Sequence, residues 1–276
     1  MWIGYRRDRL GRSPCADGLS GRDRPPYLTI RTPVGGRDQT AMITPFELQL
    51  RDHGLDIVHP FPLDGLTIKS PHFQPLARRF GDARTGLLIG NTRVLWTHFL
   101  GWLAERPDWQ SRDNPLDDYA QEVITRAASD HLRDARLFWT HEIDDYLVPV
   151  QNLCHQSGLA HLSRGRFNVH PKYGPWFGMR ALVVLPDELN IPLSPAVNPS
   201  SPAVEDRVAE HFEVLRARAS AGLSSTHIRT SWEDWLGLRD LYEIGRAYRY
   251  TAPQIRYHYT KDKTVLVAEL ARRAQT

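Results

Sequence analysis

The stretch best equipped for binding chemistry is His170-Pro171-Lys172-Tyr173-Gly174-Pro175-Trp176-Phe177-Gly178-Met179-Arg180. Pro171 and Pro175 fix the backbone angle φ, while Gly174 and Gly178 remove side-chain bulk, so the run reads as a stiff turn. A stiff turn would present Tyr173, Trp176 and Phe177 as an aromatic wall, suited to a large, planar, partly apolar ligand. Arg180 can meet a carboxylate or phosphate through two parallel hydrogen bonds. The same residues equally fit a well-packed corner with Arg180 in a structural ion pair, and residue types alone leave both readings standing. His170, just before a proline, is expected to cap the turn or hydrogen-bond locally rather than to touch a ligand.

Elsewhere the chemistry is thinner. Cys154 has no base or cation beside it in sequence and reads as a small core residue. His155 reads as a satisfied buried imidazole, and Asp144-Asp145 as a surface pair of acids. The two cysteines, Cys15 and Cys154, lack metal-ligand spacing, which excludes iron–sulfur chemistry and fits a reducing cytoplasm. There is no Gly-rich phosphate loop, nucleophile elbow or His-rich metal motif.

The turn needs strands on both sides. Gly165–Val169 and Arg180–Leu185 read as those strands, with further strands at Thr85–Ile89 and Arg136–Thr140. Helices are expected after Thr44-Pro45, after Asn91 or Thr92, and from Asn114-Pro115, where Asp117 and Asp118 complement the helix dipole. Others are expected over Val148–Leu162, over Ala203–Ser220 and after Ser231, and a last one from Ala252-Pro253. Strands and helices mix without strict βαβ alternation, which predicts an α+β fold with a central antiparallel or mixed sheet flanked by helices.

The 276 residues are 41% hydrophobic and 24% charged, enough to bury a real core in one domain. The net charge of +3 is unevenly placed. Residues 1–41 hold eight Arg and four Asp, a net of +4, which leaves −1 for the rest. Residues 1–41 therefore read as a disordered basic tail, or as sequence upstream of a true start at Met42, and residues 42–276 as one domain. A nearly neutral body argues against nucleic acid as a partner. No window reaches the roughly 18–20 apolar residues of a membrane span, and no apolar stretch follows the early arginines as in a secretory signal.

The run "GRFNVHPKYGPWFGMRALVVLP" at 165–186 resembles the central signature of the methylmalonic aciduria and homocystinuria type C family of cobalamin-trafficking proteins. That signature is His-Pro, a basic residue, an aromatic, Gly-x-Trp-Phe, then Arg and Val-x-Leu-Pro. Other similar segments follow in order: "LLIGNTRVLWTHFLGWL", "DNPLDDYAQEVI", "VQNLCHQSGLAHL" and "YTAPQIRY". The resemblance covers about residues 55 to 260. A shorter form of the signature occurs in epoxyqueuosine reductases, whose cluster-binding cysteines this chain lacks.

The resemblance implies a flavin-nitroreductase-like α+β fold that binds cobalamin base-off and removes its upper axial ligand. The implied activities are cyanocobalamin reductase, with reduced FMN or FAD as electron source, and alkylcobalamin dealkylase with a thiol such as glutathione. By the same resemblance Trp176 and Phe177 flank the corrin with Met179, Gln151 faces it, and Phe167 and Asn168 lie beside the detached base. Arg180 and Arg256 match two arginines of a thiol-carboxylate clamp. A third family arginine is replaced by Glu233 in Ser231-Trp232-Glu233-Asp234-Trp235, which counts against the thiol reaction. Implied partners are a flavin reductase or a downstream cobalamin acceptor, with ligand-induced homodimerisation. Two other functions stand beside this one: a non-catalytic cobalamin carrier, and a flavin oxidoreductase acting on another aromatic substrate.

Overall fold

The computed structural model describes residues 28–29, 39–71, 73–142, 146–189, 191–219 and 225–275. In chain order the elements are β1 (Leu28–Thr29), α1 (Gln39–Asp52), β2 (Ile57–Pro62), α2 (Phe73–Ala77), β3 (Thr85–Asn91), α3 (Leu95–Ala104), α4 (Pro115–His131) and β4 (Arg136–Trp139). There follow α5 (Val150–Gln156), β5 (His161–Leu162), β6 (Asn168–Val169), β7 (Gly178–Leu185), α6 (Pro202–Arg218), α7 (Ser225–Thr230), α8 (Trp232–Asp240), α9 (Ala252–Thr260) and α10 (Lys263–Arg273). Among the described residues no helix is long and apolar enough to cross a membrane.

Five strands form one sheet in the order β1-β4-β7-β3-β2, antiparallel at every pairing. β3 and β7 are central and buried along almost their whole length, which is why both read as continuous apolar runs. Their side chains alternate between two cores. Leu87, Ile89, Ala181 and Val183 face the layer built with α1, α3, α4 and α10. Leu88, Leu182, Val184 and Met179 face the layer that contains Phe73, Val150 and Leu153. The period-2 geometry of a strand makes this division along Ala181–Val184, and the register shift between Ile89 and Gly90 moves Met179 onto the second layer.

The α+β expectation holds, and several element boundaries are corrected. β2 is an extra edge strand, carrying Pro60 and Pro62 where a missing N–H is tolerated. α1 starts upstream of the expected Thr44 cap and runs through Pro45, held by burial of Ile43, Phe46 and Leu50. The helix expected over Val148–Leu162 stops at Gln156. Gly158 then takes the left-handed conformation (φ +89°), and His161–Leu162 pairs with β6 in a separate two-stranded sheet. α9 is followed by α10 rather than being last. Within the segment read as a tail, Leu28–Thr29 pairs with β4 and α1 begins at Gln39; the rest of that segment, Cys15 and Asp144-Asp145 lie outside the described residues.

Candidate functional site

The turn between β6 and β7 is locked at its base. His170 and Gly174 exchange both backbone hydrogen bonds, at 2.9 and 2.8 Å. His170 Nδ1 accepts from the backbone N–H groups of Lys172 and Tyr173 at 3.0 and 3.2 Å, and its ring stacks on Tyr173 at 4.4 Å. This is the local capping role expected of His170. Burial, with His59 and Lys172 nearby, pushes its imidazole down to about 4.

The turn is also docked onto the segment after α8. Gly174 (φ +55°) and Gly245 (φ +78°) put backbone against backbone. A Cβ on Gly174 would meet the Ile244 carbonyl, and one on Gly245 would meet the Tyr173 carbonyl. Tyr173 meets Tyr248 edge-on at 4.8 Å.

The expected site residues fall into separate surroundings. Trp176 is 1% exposed, which corrects the expectation that its face borders an open cleft. Its ring is covered by the Arg239 guanidinium at 4.4 Å, by Arg249 at 5.2 Å and by Tyr250. An electron-rich indole in contact with two guanidiniums is well satisfied without a ligand. Phe177 is half-buried and packs on the layer that holds Met179, Val148 and Val150. Met179 is buried there.

Gln151, Asn168 and Phe167 lie close together. The Asn168 amide donates to the Gln151 carbonyl at 3.0 Å and to the Ala160 carbonyl at 3.2 Å. The Gln151 amide donates to the Arg166 carbonyl. Phe167 is buried against Tyr242 in a different cluster, so it backs the strand instead of facing an opening. Gln151 lines a groove of about 190 Å³ with Ser70, Thr140, Leu147, Val148 and Asn152. The Thr140 hydroxyl donates to the Met179 carbonyl at 2.9 Å, placing this groove beside the start of β7.

Arg180 is 3% exposed. Its Nε donates to Asn91 Oδ1 at 2.8 Å and its Nη1 meets Asp117 Oδ1 at 3.3 Å. Arg256 stands exposed and pairs with Asp262 at 2.9 Å. Among the described residues the two arginines share no partner, so the expected carboxylate clamp is not assembled; the buried Asp117 already occupies the Arg180 guanidinium.

Sequence reasoning passed over a second polar group on α8 and α9. Arg239 is buried, donates to the Pro175 carbonyl and makes no ion pair among the described residues. Gln254 is 1% exposed, and among the described residues neither of its amide atoms has a partner, nor do His258 Nε2 and Arg239 Nε. Burial, with Arg180 and Lys261 near, holds the His258 imidazole well below its ordinary range. The signal for this group was the spacing of Gln254 and His258, four apart on one helix face. Cys154 is buried and desolvation raises its thiol, the inert core role expected. Among the described residues no group of three metal-ligating side chains gathers.

No protein-family model and no curated protein sequence matches the chain. Among solved structures it is similar to a C. elegans B12-trafficking protein, CblC, described as a homologue of human MMACHC. The TM-score is 0.63 at 14% identity, over 82% of this chain and 94% of that one. It also aligns with an epoxyqueuosine reductase of Bacillus subtilis, at a TM-score of 0.46 and 10% identity over 79% of this chain and 69% of the other. The α+β architecture expected from the sequence, an antiparallel sheet flanked by helices, is the observed fold, and it is shared with the B12-trafficking protein along nearly the whole of that chain.

Proposed function

We propose that this protein processes cobalamin, binding it base-off and removing its upper axial ligand by reductive decyanation. One observation carries the reading: the signature His170–Arg180 forms the corner into β7 of a fold shared with a B12-trafficking protein over 94% of that protein's length. The residues around the Gln151 groove suit a corrinoid edge in kind. Gln151, Asn152, Ser70 and Thr140 supply hydrogen-bonding groups, while Leu147 and Val148 supply apolar surface. At about 190 Å³ the groove is below the roughly 300–1,000 Å³ of small-molecule sites. The groove therefore takes an edge of the corrinoid rather than the whole of it. Phe177 and Asn168, both half-buried, are the remaining expected cobalamin residues with accessible surface, whereas Trp176, Met179 and Phe167 are buried.

Reduced FMN or FAD would supply electrons as a diffusing reductant. This chain's own residues would grip the corrinoid periphery and exclude water from its upper face. Thiol-dependent dealkylation has less support, because Asp117 occupies Arg180 and Glu233 stands beside Trp232. The unassembled clamp favours one second reading, a carrier that binds cobalamin without turnover. Anaerobic mixing with cyanocobalamin and reduced FMN separates them. Decyanation yields the cob(II)alamin spectrum. A base-off spectrum with the cyanide retained selects the carrier, and retained flavin without cobalamin binding rejects both in favour of a flavin oxidoreductase.

A further inference from the structure

On the α1 side of the turn lies a second groove, of about 210 Å³, bordered by Glu47, Arg51, Asp56, His59, His170 and Tyr173. Its two imidazoles have opposite, fixed polarity. His59 Nε2 lies 2.8 Å from the Ser157 carbonyl, which can only accept, so this nitrogen carries the proton and Nδ1 keeps its lone pair. His170 Nδ1 accepts from two backbone N–H groups, so the proton sits on Nε2. Neither remaining ring nitrogen has a hydrogen-bond partner among the described residues.

We propose that this groove binds a primary carboxamide, whose carbonyl oxygen accepts from His170 Nε2 and whose N–H donates to His59 Nδ1. One donor and one acceptor among the lining residues match the two edges of an amide and mismatch a carboxylate, which only accepts. The charges around the groove agree. Glu47 and Asp56 disfavour an anion, and Arg51 disfavours a cation, as does Lys172, which acts on His170. Asp56 is already engaged by the Thr92 backbone N–H and hydroxyl, both at 2.6 Å. Burial keeps both imidazoles neutral near pH 7, so the tautomers persist there. The stacked His170 and Tyr173 rings form a flat, stiff side to the groove.

Two sources offer this chemistry: the carboxamide side chains at the corrinoid edge, which rests on the cobalamin reading, and the carboxamide of a reduced nicotinamide. Imidazole nitrogen NMR of the full-length protein tests both, with cyanocobalamin, NADH, nicotinamide and nicotinate as separate probes. Resonances of His59 Nδ1 and His170 Nε2 are expected to move with an amide probe and to stay still with nicotinate. His170→Asn keeps a side-chain acceptor for the turn, but its shorter amide ends before the Nε2 position, and the substitution should weaken amide binding roughly three- to tenfold. Shifts with NADH or nicotinamide, without cyanocobalamin binding, support the groove and overturn the cobalamin reading. Cyanocobalamin binding base-off while no amide probe moves either imidazole overturns the groove and leaves that reading intact. Equal response to nicotinamide and nicotinate also overturns it.

Discussion

The Arg180 guanidinium lies 3.3 Å from the Asp117 carboxylate with both side chains almost wholly buried, joining the start of β7 to the first turn of α4. Buried pairs of this kind are costly to break, because removing one partner strands the other charge. Arg180→Ala should therefore destabilise the fold by about 3–5 kcal/mol. Replacing both partners, Arg180→Met with Asp117→Leu, should recover most of that loss. Thermal unfolding of the parent and of these two variants checks the prediction. A single variant as stable as the parent would mean that Asp117 is not committed to Arg180.

Trp176 and Phe177 are neighbours with opposite exposure, and their substitutions should separate stability from binding. Trp176→Ala removes a fully enclosed indole and its two guanidinium contacts, at a cost of about 3–5 kcal/mol. Phe177→Ala removes a half-buried ring and should cost less stability. Under the cobalamin reading it should instead weaken cyanocobalamin binding more than Trp176→Ala does at a temperature where both are folded. Denaturant unfolding and a visible-spectrum titration on the same samples compare the two.

The strands that frame the turn were legible because β3 and β7, central in the sheet, had to be apolar on both faces. The edge strand β2 was not, since Pro60 and Pro62 argue against a strand unless one knows that it lies last in the sheet order. The His170–Arg180 turn was legible from its prolines and glycines. What sequence could not supply was direction. Trp176 turns inward against Arg239 and Arg249, and those partners lie more than sixty residues away. Arg180 was read as a clamp and as an ion pair, and Asp117, singled out only for the helix dipole, decides for the pair in this structure.

His170 ties folding to pH. Its imidazole falls to about 4 when folded, first through burial, against an ordinary value of 6.5. Between those values the unfolded chain binds more protons, so stability rises with pH through that window and is complete above about 6.5. Acidification from pH 6.5 toward 4 should therefore destabilise the parent more steeply than His170→Asn. Urea midpoints across that range measure the difference. Parallel curves would assign the acid limb to other groups, with His258 the next candidate because it too is held neutral by burial.

Gly174 and Gly245 test whether the turn is a docked element or a surface loop. Both have positive φ, and each would drive a Cβ into the other's backbone segment, Gly174 against the Ile244 carbonyl and Gly245 against Tyr173. On a free loop with permissive geometry, Gly→Ala stabilises by about 0.4–1 kcal/mol through the unfolded chain. Here each substitution should destabilise by about 1–3 kcal/mol from backbone strain, with the steric clash adding to it. The double variant should lose less than the sum, because the first Cβ already parts the two segments and the second meets less backbone. Hydrogen exchange should then rise together in residues 170–177 and 244–250. Faster exchange in one segment alone would show that the two are not held by this contact, and the aromatic corner would have to owe its position to Arg239 and Trp176.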